Sequence, residues 1–263
     1  MDLIQAVILG LIQGLTEWLP ISSTGHLKLA EYFLNLELPI LFDVILHSGT
    51  LIVVLFFFRE DIKQLLYALA RLDFKTEHGR LILPIIVGTI PTVIIGLAFG
   101  QLIEATFQTL LPIAIALIAC GILLYTAKIG NEKKEDVTLI AALIIGIAQG
   151  IAIIPGISRS GATIAIAILI GIKREKAFRF SFLLSIPAIL GALALTLTTQ
   201  LESLTAAGLG FTEIFIGTAT AVIVGYLALK VLWKVVIKRK LHVFAMYCWI
   251  LGIALAVLSL SGF

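Results

Sequence analysis

Charge is scarce in this chain. Asp, Glu, Lys and Arg make up 13% of its 263 residues while 60% are hydrophobic, against about 25% charged and 45–50% apolar in an ordinary soluble domain. With a mean hydropathy of +1.13, the chain lacks the polar surface that a water-soluble globule needs, which points to an all-α, multi-pass membrane protein. Cysteine is nearly missing too. Cys120 and Cys248 both sit in apolar runs, which excludes a disulfide framework or a cysteine metal site and reads as small core- or lipid-facing side chains. Met1-Asp2-Leu3 carries no positive n-region, and the apolar stretch behind it holds Gln13 and Glu17 in place of a small-residue cleavage site, so no signal peptide is expected. Strict apolar–polar alternation is absent, which argues against an outer-membrane barrel. So little soluble surface leaves no room for nucleic-acid binding.

What is abundant is long apolar sequence. Six stretches, at 39–58, 81–100, 109–127, 177–198, 211–229 and 241–261, match the ~20 residues that a spanning helix needs. Seventeen of the 19 Lys and Arg lie in four stretches at 59–80, 128–134, 173–179 and 230–240; the other two are Lys28 and Arg159, and 101–108 and 199–210 hold none. The positive-inside rule places the four basic stretches in the cytoplasm and the two bare loops outside. The 135–172 segment then begins and ends on the same side, so it must enter the membrane and turn back. The segment before residue 39 does the mirror image from the outer face if residue 1 is also outside. His78 and His242, in or beside basic stretches, are expected to be solvated. Asp43 and His47 stand one turn apart in the first span.

An internal repeat supports this layout. An ungapped shift of 136 aligns Gly10 with Gly146, Gln13-Gly14 with Gln149-Gly150, Ile21-Ser22 with Ile157-Ser158 and Gly25 with Gly161. Each half, 1–130 and 137–263, carries one hairpin and three spans, with the charged linker 131–136 between them. Three is odd, so the copies are inverted, and residues 1–263 form a single integral membrane domain.

The two interrupted segments carry the polar chemistry. In the first, Pro20 stops the incoming helix, and Ser22 suits the N-cap of the outgoing one, with Ser23, Thr24, Gly25 and His26 following. Gln13 and Glu17 share a helix face. In the second, Pro155-Gly156 makes a turn, Ser158 is the N-cap, and Arg159, Ser160 and Thr163 open the next helix. Broken backbone at membrane depth is tolerated only inside protein or along a cavity. Two helix N-termini meeting there would form an anion site. Arg159 at that depth costs on the order of 2.5–3.5 kcal/mol and calls for a paired anion, most simply a phosphate held by the guanidinium fork. A carboxylate, hydroxyls, an imidazole and an arginine are the parts of a phosphoryl-transfer or hydrolysis site. His26 could take the Ser23 proton or protonate a leaving group; Glu17 could orient His26 or hold a divalent cation. A transporter or flippase of an anionic or lipid-linked phosphate is the alternative, because inverted repeats with a mid-membrane site are a transporter architecture.

Gln13-x-x-x-Glu17, Pro20-Ile-Ser22-Ser23-Thr24-Gly25-His26 and Pro155-Gly156-Ile-Ser158-Arg159-Ser160-x-x-Thr163 resemble the motifs of the undecaprenyl-diphosphate phosphatase family, the bacitracin-resistance integral membrane proteins. The resemblance implies removal of the terminal phosphate from a C55 polyprenyl diphosphate, regenerating the lipid carrier for cell-wall synthesis at the outer leaflet of the bacterial plasma membrane, with Mg²⁺ or Ca²⁺. Carried over by position, it makes Glu17, Ser23, His26 and Arg159 the catalytic core. Gln13, Ser22, Thr24, Ser158, Ser160 and Thr163 become substrate contacts, and Glu17 a metal ligand. Gln13 in place of a glutamate leaves one carboxylate fewer for that metal.

Overall fold

The computed structural model describes residues 1–36, 38–206 and 210–261, and their regular structure is helical. Eleven α-helices follow in order: α1 Leu3–Trp18, α2 Ser23–Leu34, α3 Ile40–Phe57, α4 Arg59–Ala70, α5 Ile82–Thr106, α6 Leu110–Thr126, α7 Leu139–Ile151, α8 Arg159–Leu169, α9 Arg174–Ala206, α10 Phe211–Ile237 and α11 Val243–Leu260. Helices α5, α6, α9, α10 and α11 are long and apolar enough to cross a membrane, and α3 joins them as the apolar arm of a pair bent by 80° against α4. Their outward faces are apolar: Ile223 is 66% exposed and Ile250 68%. A water-soluble monomer does not present apolar surface continuously around its girth; these faces meet lipid.

The hairpins form where the sequence places them. Helix α1 ends at Trp18, ahead of Pro20, and the Ser22 hydroxyl caps α2 by accepting from Gly25 N at 3.3 Å. In the second hairpin α7 ends at Ile151, Gly156 turns the chain at φ +103°, and the Ser158 hydroxyl caps α8 by accepting from Gly161 N at 3.2 Å. A φ in that region is nearly cost-free only for glycine.

Helix pairing is symmetric between the halves. Helix α1 packs on α10 as α7 packs on α5; α3 packs on α9 and α6 on α11; α3 meets α10 as α5 meets α9. Small residues permit the closest approaches. A side-chain carbon added at Gly10 would strike the backbone of Gly217, and one added at Gly146 the backbone of Gly88. In lipid, where burial of apolar area gives no drive for association, such backbone contact is what holds helices together. The two glycines are related by the repeat.

An aromatic cluster fills the space between α1, α3, α9 and α10. Phe178 and Phe182 lie 4.5 Å apart, Phe58 stacks on Phe182 at 5.7 Å, and fully buried Trp18 meets Phe182 at 5.4 Å. Cys120 and Cys248 are buried in the core as expected of small side chains.

Three sequence expectations are corrected. The bare stretches 101–108 and 199–210 are largely helix, since α5 runs to Thr106 and α9 to Ala206; residues 207–209 lie outside the described residues. Without a helix breaker the hydrogen-bond ladder continues beyond the apolar span. His78 is not solvated either: its ring is 2.5 Å from Arg179 Nη2 and 3.4 Å from Asp61. It belongs to a charged knot in which Arg179 also pairs with Asp61 and, at 3.0 Å, with Glu77. In this loop the hydrogen bond and charge of Lys176 hold the Glu77 carboxyl below its usual range. His242, at the N-cap of α11, is likewise half-buried.

Substituting Gly146→Leu forces apart the α5–α7 contact. Overpacking of this kind costs about 1–3 kcal/mol, so the melting temperature of the purified protein in detergent should fall by several degrees; an unchanged melting temperature would refute the close packing of these helices.

Candidate active site

The hairpin tips meet inside the bundle. Gly156 N donates to the Ser22 hydroxyl at 2.9 Å, so one side chain caps α2 and ties the second turn to the first. Ser22 holds φ +72°, a conformation costly for a residue with a Cβ. The Ser160 hydroxyl donates to Trp18 O at 3.0 Å, and a side-chain carbon added at Gly161 would press on Pro20. These contacts bring residues more than 130 positions apart to one corner.

Glu17 is the hub. Its side chain is 3% exposed, and Oε1 pairs with Arg159 Nη2. Oε2 accepts from the Ser23 hydroxyl at 2.6 Å and from Gln13 Nε2 at 3.1 Å, and lies 3.1 Å from His47 Nε2. The Arg159 guanidinium also lies over the Trp18 ring at 5.7 Å. Arg159 Nη1 is buried and has no hydrogen-bond partner among the described residues. A buried unpaired guanidinium nitrogen is costly.

Glu17, Ser23, Thr24, Ser158 and Arg159 line a cavity of about 370 Å³, together with Lys28, Asp43 and His47. The volume lies within the ~300–1,000 Å³ range of small-molecule sites. Both α2 and α8 begin at this cavity, so two positive helix ends are directed at one place.

The other expected residues stand elsewhere. Ser22 works as a cap, Ser160 holds Trp18 O, and the Thr163 hydroxyl returns to Arg159 O at 2.8 Å. Gln13 backs Glu17 from behind. His26 is not beside Ser23. Its Nδ1 donates to Ser22 O at 2.7 Å, its Nε2 is 2.7 Å from the Tyr247 hydroxyl, and its ring stacks on Tyr247. The i to i+4 geometry of α2 turns it toward α11. The imidazole beside Ser23 belongs to His47, with Nε2 3.4 Å from the Ser23 hydroxyl and Nδ1–H donating to Asp43 O at 2.7 Å. The spacing Asp43–His47 marked this turn of α3, but nothing in the linear sequence aims it at Ser23.

The donor set does not form a cage for a divalent cation. Both Glu17 oxygens are engaged by protein donors, one of them a guanidinium, and among the described residues no three His, Cys, Asp or Glu are grouped to hold a metal ion.

Comparison with known proteins gives a consistent answer. A family model described as bacitracin resistance protein BacA matches residues 6–254. A protein of Carboxydothermus hydrogenoformans named undecaprenyl-diphosphatase is 43% identical, with 100% of this chain and 99% of the relative covered. Undecaprenyl-diphosphatases of Halothermothrix orenii, 44% identical over 98% of this chain and 99% of the relative, and of Treponema denticola, 43% identical over 98% and 97%, show the same likeness.

If His47 orients Glu17 and Ser23, His47→Ala should lower kcat by about 10²-fold, the lower range for loss of a positioned proton-handling group, with KM nearly unchanged. His47→Gln, which keeps a donor, should retain more activity. Steady-state kinetics on both variants test this; wild-type kcat in His47→Ala would remove the residue from the site.

Proposed function

The chain belongs to the BacA bacitracin-resistance family, and we propose that it hydrolyses undecaprenyl diphosphate to undecaprenyl phosphate and inorganic phosphate inside the membrane. The observation that carries this reading is the Glu17 carboxylate, which accepts from the Ser23 hydroxyl at 2.6 Å and pairs with Arg159, so that a hydroxyl and a guanidinium are held together on a cavity that both residues line. A phosphate bound there would meet a guanidinium and a hydroxyl that share one carboxylate. The relatives are named as enzymes, and a transporter has no need for a hydroxyl bound to a buried carboxylate. The transporter reading is not favoured.

In this proposal the terminal phosphate lies between the N-termini of α2 and α8, with the guanidinium fork of Arg159 and the Thr24 and Ser158 corner on its oxygens. The Ser23 oxygen attacks phosphorus. As the Oγ–P bond forms, the bridging P–O bond breaks and its electron pair leaves on undecaprenyl phosphate. The hydroxyl proton passes to its existing acceptor, Glu17 Oε2, and from there to phosphate. Water then attacks the phosphoserine, the Oγ–P bond breaks, Ser23 regains a proton and inorganic phosphate departs. Lys28, which also lines the cavity and pairs with Glu31 at 3.1 Å, would be the positive group nearest the phosphate that stays with the lipid. His26 acts by position: its bonds to Ser22 O and Tyr247 fix the first turn of α2 against α11. Ser22, Gln13, Ser160 and Thr163 support the corner from behind. Mg²⁺ or Ca²⁺ enters the proposal as a companion of the diphosphate, not as a resident of Glu17, and no step above depends on it.

We place the site on the outer leaflet of the cell membrane. The cavity is lined by Ile103, Glu104, Phe107 and Gln108, at the end of α5 that carries no Lys or Arg. In that position the reaction would return the lipid carrier to cell-wall synthesis, and competition with bacitracin for the diphosphate would give resistance.

Purified protein given undecaprenyl diphosphate should release phosphate; no release would end the phosphatase reading. Ser23→Ala should reduce turnover by about 10⁴-fold or more, as loss of an activated nucleophile does. Arg159→Lys should lower kcat by about 10²-fold, since an ammonium cannot reproduce the two-pronged contact. Near-normal rates in either variant would contradict the assigned roles.

A further inference from the structure

At the basic end of the bundle the two halves of the repeat differ. The shift of 136 sets α3 on the first part of α9, and α9 runs unbroken from Arg174 to Ala206. Helix α3 instead stops at Phe57, and α4 leaves it at 80°. A helix nearly perpendicular to the spanning helix before it lies along the membrane surface. The composition suits that placement. Residues 195–206, reached from 59–70 by the same shift, include no Lys or Arg, whereas α4 and its C-cap carry Arg59, Lys63 and Arg71. Leu66 and Leu69, three apart on one face of α4, are exposed. Basic side chains flanking an exposed apolar face are the mark of a helix seated in the headgroup layer.

The start of α4 is joined to α10 by a ladder of cations and rings. The Arg59 guanidinium lies 5.1 Å from the centre of the Phe56 ring, Phe56 lies 5.8 Å from Tyr226, and Lys230 Nζ lies 4.4 Å from Tyr226. Cations from two helices thus stand at one level over a pair of aromatic rings. Lys63 follows Arg59 by one turn and Lys234 follows Lys230 by one turn, and all four are exposed. Among the described residues Lys63 and Lys230 pair with no carboxylate, while Arg59 meets Glu60, itself exposed, at 3.6 Å. The nearby acids Asp61 and Glu77 are held by Arg179. Below the rings Ile52 of α3 and Ile223 of α10, each about one turn before its aromatic residue, are exposed as well. Between α3 and α10 the outer surface is therefore cationic at headgroup level and apolar beneath it.

We infer that this elbow is a binding site for an anionic phospholipid, with its phosphate among Arg59, Lys63 and Lys230 and an acyl chain along the groove marked by Ile52 and Ile223. A soluble anion has no use for the apolar part of this surface, and a neutral lipid has no use for the unpaired cations. The positive-inside rule puts this end of the bundle in the cytoplasm, where the leaflet carries acidic lipids and basic pockets between spanning helices bind their headgroups. The inference stands apart from the phosphatase reading, because the elbow shares no residue with the cavity.

The test is native mass spectrometry of the full chain in neutral detergent, titrated with phosphatidylglycerol or with phosphatidylcholine of the same acyl chains. Wild type is compared with Lys63→Gln/Lys230→Gln and with Lys128→Gln/Lys133→Gln, which removes the same charge from exposed positions in another basic stretch. Wild type should bind phosphatidylglycerol the more tightly. The elbow variant should lose about tenfold or more of that affinity, since each basic group beside an anionic lipid is worth about a fivefold factor. The control pair should bind as wild type does. Equal binding of the two lipids by wild type, or equal loss in the two variants, would overturn the inference. A second measurement locates the lipid in vesicles that contain either phospholipid with a diazirine in its acyl chain. The ratio of phosphatidylglycerol to phosphatidylcholine labelling should be higher on peptides containing Ile52 and Ile223 than on α11, and should fall to the α11 value in the elbow variant. A uniform ratio over all three helices would overturn the site. So would recovery of a dimer whose contact shields those peptides, which would assign the elbow to a second copy of the chain.

Discussion

The ion pair between Glu17 and Arg159 is the constraint on which the site depends. Each residue lies near the tip of a different hairpin, and each would be costly to bury there alone. An isolated charge at mid-membrane costs on the order of 2.5–3.5 kcal/mol, and removing one member of a buried pair typically costs about 3–5 kcal/mol because the other is left uncompensated. Together they neutralise each other and fix the two tips in register. The pair is not satisfied on its own, however: one guanidinium nitrogen stays buried without a partner. In the proposed function, a phosphate brought into the cavity that Arg159 lines would supply the guanidinium with a second anion.

Everything around the pair serves to hold it. Backbone contacts at Gly10 and Gly146 allow α1 and α7, the incoming arms of the hairpins, to lie against α10 and α5 of the opposite halves. The Ser22 hydroxyl joins the turns, and the Ser160 hydroxyl holds the end of α1. Most of the hydroxyls clustered at these breaks therefore build the backbone corner, leaving Ser23, Thr24 and Ser158 to face the cavity. This division is physical: broken helices in lipid must satisfy their own backbone groups before any side chain is available for a ligand.

Much of the fold was legible in the sequence. Hydropathy located the spans, and the clustering of Lys and Arg implied two segments that enter and return. Ser22 and Ser158 marked the starts of α2 and α8 to the residue, because caps act locally, whereas Pro20 and Pro155-Gly156 marked the breaks only approximately, α1 ending at Trp18 and α7 at Ile151. Arg159 and Glu17 stood out because charge at that depth is expensive. The direction of a side chain across the bundle was not legible. His26 follows Ser23 by three positions yet turns toward Tyr247, while His47, twenty-four positions away, arrives beside Ser23 through the packing of α3 against α1 and α9. His78 was misread for the same reason, since its partners Arg179 and Asp61 come from other helices.

In the proposed function the two hairpin tips together form one phosphate site. The most direct measurement is an experimental structure of the protein with a non-hydrolysable methylene diphosphonate analogue of the polyprenyl substrate. The terminal phosphorus group should lie within hydrogen-bonding distance of both the Ser23 hydroxyl and the Arg159 guanidinium, between the starts of α2 and α8. A headgroup bound to one tip alone, or at a site outside that cavity, would contradict it.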